Sequence, residues 1–563
     1  MKVVIVGGVA GGATAAARLR RLDETAEIVV FERSGFVSYA NCGLPYYIGG
    51  VIEDQAELTL QTPESFYQRF RVEMKVRHEV TAIDRTTKTV TVRNLDTGDV
   101  FTESYDKLLL SPGAKPTQPA LPGVGLDRLF TLRTVEDTLR IHRFVEEQRP
   151  RSVVLAGGGF IGLELAENLR DRGLEVTIVQ RPKQLMTPFD ADMAALIHRE
   201  VRAHGVRLAL GHTVEGFAEA DGGVQVLLKG EQPLQADMVI LAIGVTPDSR
   251  LAADAGLELG LKGSILVNDR MQTSDPDIYA VGDAVQVNHF VTGQPALIAL
   301  AGPANKQGRI AADNIAGGDS RYKGSQGSSV LKIFSLTAAA TGLNEGAARR
   351  AGLDTEAVVL SPMNHAGYYP GGRVMTMKVL FEKGTGKLLG AQIVGSDGVD
   401  KRIDVLATAI RAGMTAADLT ELDLAYAPPY SSAKDPVNMA GYMMENLLTG
   451  KVRQFRLEEL AALPRDGSVT LLDARTPGEY RRGHADGFLN LPLDELRERL
   501  GELDPAKPVY VMCQSGLRSY LACRILAQHG FTCYNFAGGY RFYEAVTTDR
   551  CQSDQAFACG MDK

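Results

Sequence analysis

Cys42 is the residue whose neighbours best equip it to react. It lies in Ser38-Tyr39-Ala40-Asn41-Cys42-Gly43-Leu44-Pro45-Tyr46, a polar turn shaped by glycine and proline. A thiol becomes a nucleophile when its thiolate is stabilised, and the unpaired N–H groups of a helix N-terminus do this. Pro45 fits the first turn of such a helix. No other cysteine lies near Cys42 in sequence, so a local dithiol is excluded. Cys513, Cys523, Cys533, Cys551 and Cys559 are scattered without metal-ligand pairs or a disulfide framework. That pattern suits a reducing cytoplasm and indicates no metal site.

Two glycine-rich turns could carry nucleotides. The first follows the strand Val3-Val4-Ile5-Val6 and reads Gly7-Gly8-Val9-Ala10-Gly11-Gly12; a helix should run through Leu22, and the next strand ends at Glu32. Gly7, Gly11 and Gly12 let backbone approach a pyrophosphate at the helix N-terminus, and Glu32 is placed to accept from a ribose hydroxyl. Val9 stands where the fingerprint usually has its second glycine. The second turn, after Ser152 to Ala156, has the complete set Gly157, Gly159 and Gly162, and its following strand ends at Gln180-Arg181. NAD enzymes commonly place an acid there; Gln180 with Arg181 could accept a 2′-phosphate, so NADH and NADPH both stay open. Two such units in one chain suggest electron transfer from a nicotinamide to a bound flavin.

The elements that must position these residues need several domains, because 563 residues exceed what one core supports. Hydrophobic residues make up 45%, charged residues 23%, and there are 59 glycines, the profile of a globular protein. A net charge of −7 argues against a nucleic-acid binder. Met1-Lys2 leads directly into a strand, leaving no room for a signal peptide, and no apolar run reaches membrane-spanning length. The expectation is a cytoplasmic protein without membrane attachment.

Thr273-Ser274-Asp275-Pro276-Asp277-Ile278-Tyr279-Ala280-Val281-Gly282-Asp283 resembles the flavin-ribityl motif of the pyridine nucleotide-disulfide oxidoreductases. Leu109 to Ala114 and Leu241 to Pro247 resemble that family's domain-crossing turns. The resemblance implies an α/β chain with two Rossmann-like dinucleotide-binding domains: FAD on 1–115 and 245–322, with Asp283 at the ribityl chain, and NAD(P)H on 116–244. It further implies an α+β dimerisation domain over 326–447 and hence a homodimer. Ser-Tyr-Ala-Asn-Cys is similar to the single-cysteine branch containing coenzyme A-disulfide reductases, NADH oxidases and NADH peroxidases. Oxidases and peroxidases carry a histidine in the first glycine-rich turn, where this chain has Ala10, so a sulfur substrate is favoured. By the same resemblance Thr14, Arg18, Arg21, Ser38 and Asn41 are coenzyme A-site positions, with Arg18 and Arg21 on one helix face. Tyr368 and Tyr426 are active-site tyrosines supplied by the opposite subunit, able to protonate a leaving thiolate. A lysine of some members is replaced by Phe70, beside Arg71.

After a linker, 448–455, the segment 456–548 resembles a rhodanese α/β domain, through Asp473, Arg475, Glu479-Tyr480, His484 and the loop Cys513-Gln514-Ser515-Gly516-Leu517-Arg518-Ser519. Inward-turned amides after Cys513 would form a nest for a thiolate or a persulfide sulfur, with Arg518 reinforcing the field. Cys and Arg have four residues between them here, a cradle for one sulfur atom rather than a phosphate. Cys523 and Cys533 are expected to be structural, and the role of the tail 549–563, with Cys551 and Cys559, stays open. The order reductase then rhodanese resembles the fused coenzyme A-disulfide reductase/rhodanese proteins, including NADH-dependent persulfide reductases. The implied activity is reduction of persulfide or polysulfide to hydrogen sulfide through Cys42, with sulfane sulfur delivered by Cys513. Coenzyme A-disulfide reduction, an oxidase or peroxidase, and a sulfur-trafficking or redox-sensing module are the alternatives.

Overall fold

In the computed structural model, which describes residues 1–555, the two glycine-rich turns lie in two copies of one architecture. The first sheet has parallel strands in the order Ile278–Ala280, Lys107–Leu110, Lys2–Val6, Glu27–Glu32 and Glu73–Val76. The second repeats it with Arg207–Leu210, Glu175–Gln180, Ser152–Ala156, Met238–Leu241 and Leu129–Thr131. Both central strands are buried Val, Ile, Leu and Ala, as a parallel sheet covered on both faces requires.

The turns match atom for atom. Gly7 and Gly157 have φ of 97° and 118°, the left-handed region open to glycine. A Cβ at Gly12 would fall 1.9 Å from the Gly7 carbonyl oxygen, and one at Gly162 would fall 2.1 Å from that of Gly157. At the second fingerprint position Val9 and Gly159 both have negative φ, −106° and −89°, so the backbone tolerates valine there.

Contacts divide the chain into two units, 1–183 with 205–327 and 184–204 with 328–563. The 184–204 stretch, expected within the nicotinamide domain, therefore belongs by packing to the second unit. Its helix Ala191–Ala203 is preceded by Asp190, and Lys378, 4% exposed, binds Asp190 at 3.1 Å, Asp192 at 2.9 Å and Glu345 at 3.3 Å.

In the second unit a five-stranded antiparallel sheet, Ser329–Ile333, Leu336–Gly342, Leu388–Gly395, Thr376–Glu382 and Thr355–Leu360, is followed by the parallel sheet of the C-terminal domain. That last sheet runs Gln454–Phe455, Cys533–Phe536, Val509–Met512, Thr470–Asp473 and Leu489–Asn490. Its closing helix, Gly539–Gln555, continues past residue 548, where the domain was expected to end. Asp549 on that helix accepts from His198 Nδ1 at 2.8 Å, while His198 Nε2 accepts the Leu185 N–H at 2.9 Å. Cys559 lies outside the described residues. Among the described residues no helix is long and apolar enough to cross a membrane.

Candidate active sites

Cys42 lies in a tight turn, Asn41–Gly43, that runs directly into the helix Leu44–Gly49, with Pro45 in its first turn. This six-residue helix packs on Phe160–Asp171: Arg172 donates to the Ile48 carbonyl at 3.1 Å, and a Cβ on Gly49 would strike the Asn168 side chain at 2.0 Å. Ser38, at φ 46°, donates its N–H to the Gly8 carbonyl at 2.9 Å and so brings the cysteine turn against the first glycine-rich turn. The buried Asn41 Oδ1 has no hydrogen-bond partner, an acceptor that a bound group can satisfy.

The electrostatics differ from expectation. Cys42 reaches solvent, yet the displaced water around it and the Glu164 carboxylate push its thiol pKa up. One short turn of helix does not outweigh them. Glu164, hydrogen-bonded to Tyr46, is itself pushed up to about 7 by burial and by Glu167. Arg133 opposes the trend at Cys42 while pairing with Asp283 at 2.7 Å. Glu164 and Arg133 have no signature of their own in the sequence; Glu164 is legible only as the second residue after the second fingerprint.

At the first turn both Glu32 oxygens are occupied, accepting the Gly8 and Ser34 N–H groups at 2.8 Å each. Gln180 holds the matching place in the second turn, accepting from the Gly158 N–H at 3.0 Å, and Arg181 beside it is exposed. A Cβ added at Gly159 would meet no atom within 4 Å, the open space a pyrophosphate needs, so both turns fit dinucleotides.

The residues expected at coenzyme A are placed unevenly. Thr14 Oγ1 donates to Asn305 at 2.7 Å. Arg18 and Arg21 do not form the matched pair that their spacing suggests. Arg18 is held by Asp313 at 2.7 Å, because the helix Ala301–Ile315 packs on its face, while Arg21 is exposed.

Tyr368 and Tyr426, distant in sequence, meet with hydroxyls 2.8 Å apart, and both are exposed. Their loops are joined by Arg402, 1% exposed, whose Nη2 donates to the Asn364 and Tyr430 carbonyls, Ser431 Oγ and Asp435. The shared hydrogen bond raises the Tyr368 phenol.

Cys513 is fully buried at the end of Val509–Met512. Its Sγ accepts from the Gly516 N–H at 3.2 Å, a backbone amide of the kind expected of the loop, and from Ser519 Oγ at 3.2 Å, a side-chain donor that was not expected. Arg518 does not act as a free cation there: Glu479 holds it through two bonds of 2.7 Å. Asp473 and Arg475 form a buried pair, whereas His484 stacks on Tyr480. Cys523 and Cys533 lie in the domain core, and the Cys533 thiol donates to the Cys523 carbonyl at 3.2 Å.

The model of the pyridine nucleotide-disulphide oxidoreductases matches residues 1–308. The chain belongs to this family. The family's dimerisation domain matches 328–436 and the rhodanese-like domain 456–545. The chain is 39% identical over 442 residues to the coenzyme A disulfide reductase of Staphylococcus aureus, covering 78% of this chain and 99% of that protein. The reduced CoADR-RHD of Bacillus anthracis superposes with a TM-score of 0.95 at 49% identity over 98% of both chains. A NAD-dependent persulfide reductase from A. fulgidus superposes at 0.91 with 37% identity, covering 96% of this chain and all of the other. The protein is thus an oxidoreductase of the FAD- and NAD(P)H-dependent type that reduces disulfide or persulfide substrates and carries a rhodanese domain.

Proposed function

We propose that the enzyme reduces persulfides, with coenzyme A persulfide as the substrate, and that Cys513 supplies the sulfane sulfur. The observation that carries this reading is the pair of unlike thiols: Cys42 open to solvent in the reductase, and Cys513 enclosed with donors for a single sulfur. Cys42 as thiolate attacks the carrier sulfur of R–S–SH, forming Cys42–S–S–R and expelling hydrosulfide. NAD(P)H, through bound FAD, would supply the two electrons that return both partners to thiols. The balance is RSSH + NAD(P)H + H⁺ giving RSH + H₂S + NAD(P)⁺.

Thr14, Arg21, Ser38 and Asn41, with Arg18 once released from Asp313, hold coenzyme A in this reading. Asp283 and Glu32 hold FAD, and Gln180 with Arg181 receives the adenosine end of the nicotinamide cofactor. Tyr368 and Tyr426 protonate the leaving thiolate from the partner subunit of a cytoplasmic homodimer; their exposed, hydrogen-bonded hydroxyls support that role. A second reading, reduction of coenzyme A disulfide itself, is favoured by the likeness to the Staphylococcus aureus reductase over the first four-fifths of the chain. Comparing anaerobic NAD(P)H oxidation with the two substrates tests the choice, and Cys42→Ser should abolish both. Full activity in that variant would sink either reading.

A further inference from the structure

A dianionic sulfur donor such as thiosulfate needs positive charge where it lands and where sulfite leaves. Around Cys513 both candidate cations are already neutralised. Arg518 meets Glu479 fork to fork, each nitrogen 2.7 Å from its own oxygen. Glu479 is itself fixed: Oε2 accepts from Thr476 N–H at 3.0 Å and Thr476 Oγ1 at 2.8 Å in the cap of the helix Pro477–Arg482. Arg518 holds this carboxyl down to about 2, so the pair is intact across the physiological range.

Arg475 is no freer. Its guanidinium donates to Asp473, the Gly483 carbonyl and Gln514, and lies 3.9 Å over the Tyr540 ring. Among the described residues, the donors at the fully buried sulfur are the Gly516 N–H and the Ser519 hydroxyl, which it shares with the Gly516 carbonyl at 3.1 Å, both uncharged. Those donors suit one sulfur atom and not three sulfonate oxygens.

We propose that Glu479 sets the donor specificity of the rhodanese domain: by holding Arg518 it leaves the cradle without a free cation, so Cys513 takes sulfur from thiol-borne persulfides and discriminates against thiosulfate. This rests on the reading of Cys513 as the sulfur-accepting thiol. With a persulfide, the Cys513 thiolate attacks the outer sulfur of R–S–SH; the new S–S bond forms, the old one breaks, and RS⁻ leaves and takes a proton. With thiosulfate the same attack expels sulfite, whose two negative charges depart beside the Glu479 carboxylate. Neither transfer needs an outside oxidant or reductant.

The test uses the full-length holoenzyme and measures by quenched-flow mass spectrometry how fast Cys513 gains one sulfur from thiosulfate and from glutathione persulfide. Glu479→Gln keeps an acceptor for the Thr476 cap but frees Arg518. It should raise the thiosulfate-to-persulfide rate ratio about tenfold or more, and high salt should shrink the gain. In Glu479→Gln/Arg518→Gln the gain should vanish. Arg518→Gln alone breaks the same pair without releasing a cation and leaves Glu479 an unpaired anion, so it should leave the ratio at or below the wild-type value. An unchanged ratio in Glu479→Gln overturns the proposal, as does an equal rise in Arg518→Gln, which would mean simple loosening. Wild-type loading from thiosulfate as fast as from persulfide also overturns it. Cys513→Ser should load from neither donor; loading in that variant would refute the underlying reading of Cys513 and not the role of Glu479.

Discussion

At Cys42 a short helix N-terminus favours the thiolate while displaced water and Glu164 oppose it, and the opposition prevails. Glu164 has its own cost. Its carboxyl is raised in the folded protein to about 7 from an ordinary 4.5, so the fold binds a proton that the unfolded chain has released. Stability from this group is therefore full below about pH 4.5 and falls as pH rises towards 7, by at most about 3 kcal/mol. Glu164→Gln should raise the unfolding temperature at pH 8 and leave it unchanged at pH 4, as read by calorimetry. It should also speed alkylation of Cys42 at pH 7, since a negative neighbour is gone. At the second nucleotide turn Gln180 is uncharged and Arg181 is exposed, so a 2′-phosphate would meet no carboxylate at Gln180. Arg181→Ala should weaken binding of 2′,5′-ADP about tenfold or more with little effect on 5′-AMP, measured by titration calorimetry.

Elements place these residues through a few buried contacts. Arg402 joins the Tyr368 and Tyr426 loops and neutralises Asp435. Arg402→Met leaves that buried carboxylate with only the more distant Lys401, 3.9 Å away, at a cost of up to about 3–5 kcal/mol. The unfolding temperature should fall and the paired tyrosine hydroxyls should separate, seen as a lowered phenol pKa in ultraviolet titration. Both nucleotide folds and the rhodanese loop were legible in the sequence because glycine at a positive φ and strand–turn–helix alternation are local signals. The Glu164–Cys42 coupling, the Arg18–Asp313 pair and the Glu479–Arg518 clamp were not. Each joins residues from separate elements whose meeting is decided by packing, and a charge in sequence does not reveal whether it is already spent. Val9 shows the converse: a missing fingerprint glycine costs nothing where φ is negative.

Across the whole molecule, one chain joins a nucleotide-dependent reductase to a sulfur-transfer domain with its own enclosed thiol. The segment 184–204 carries anchors on both sides of that second unit, Asp190 and Asp192 at Lys378 and His198 at Asp549. The helix bearing Asp549 is thereby part of the fold and not a loose end. In this account sulfane sulfur travels from donor to Cys513 to carrier and leaves as hydrosulfide when Cys42 attacks the carrier sulfur, and electrons come from the nicotinamide. The most direct test follows hydrosulfide and NAD(P)H together under anaerobic conditions, with coenzyme A persulfide or coenzyme A disulfide, in wild type and Cys42→Ser. The account predicts faster turnover with persulfide, one hydrosulfide released per NAD(P)H consumed, and neither in Cys42→Ser. Faster turnover with the disulfide, or hydrosulfide release that survives Cys42→Ser, would contradict it.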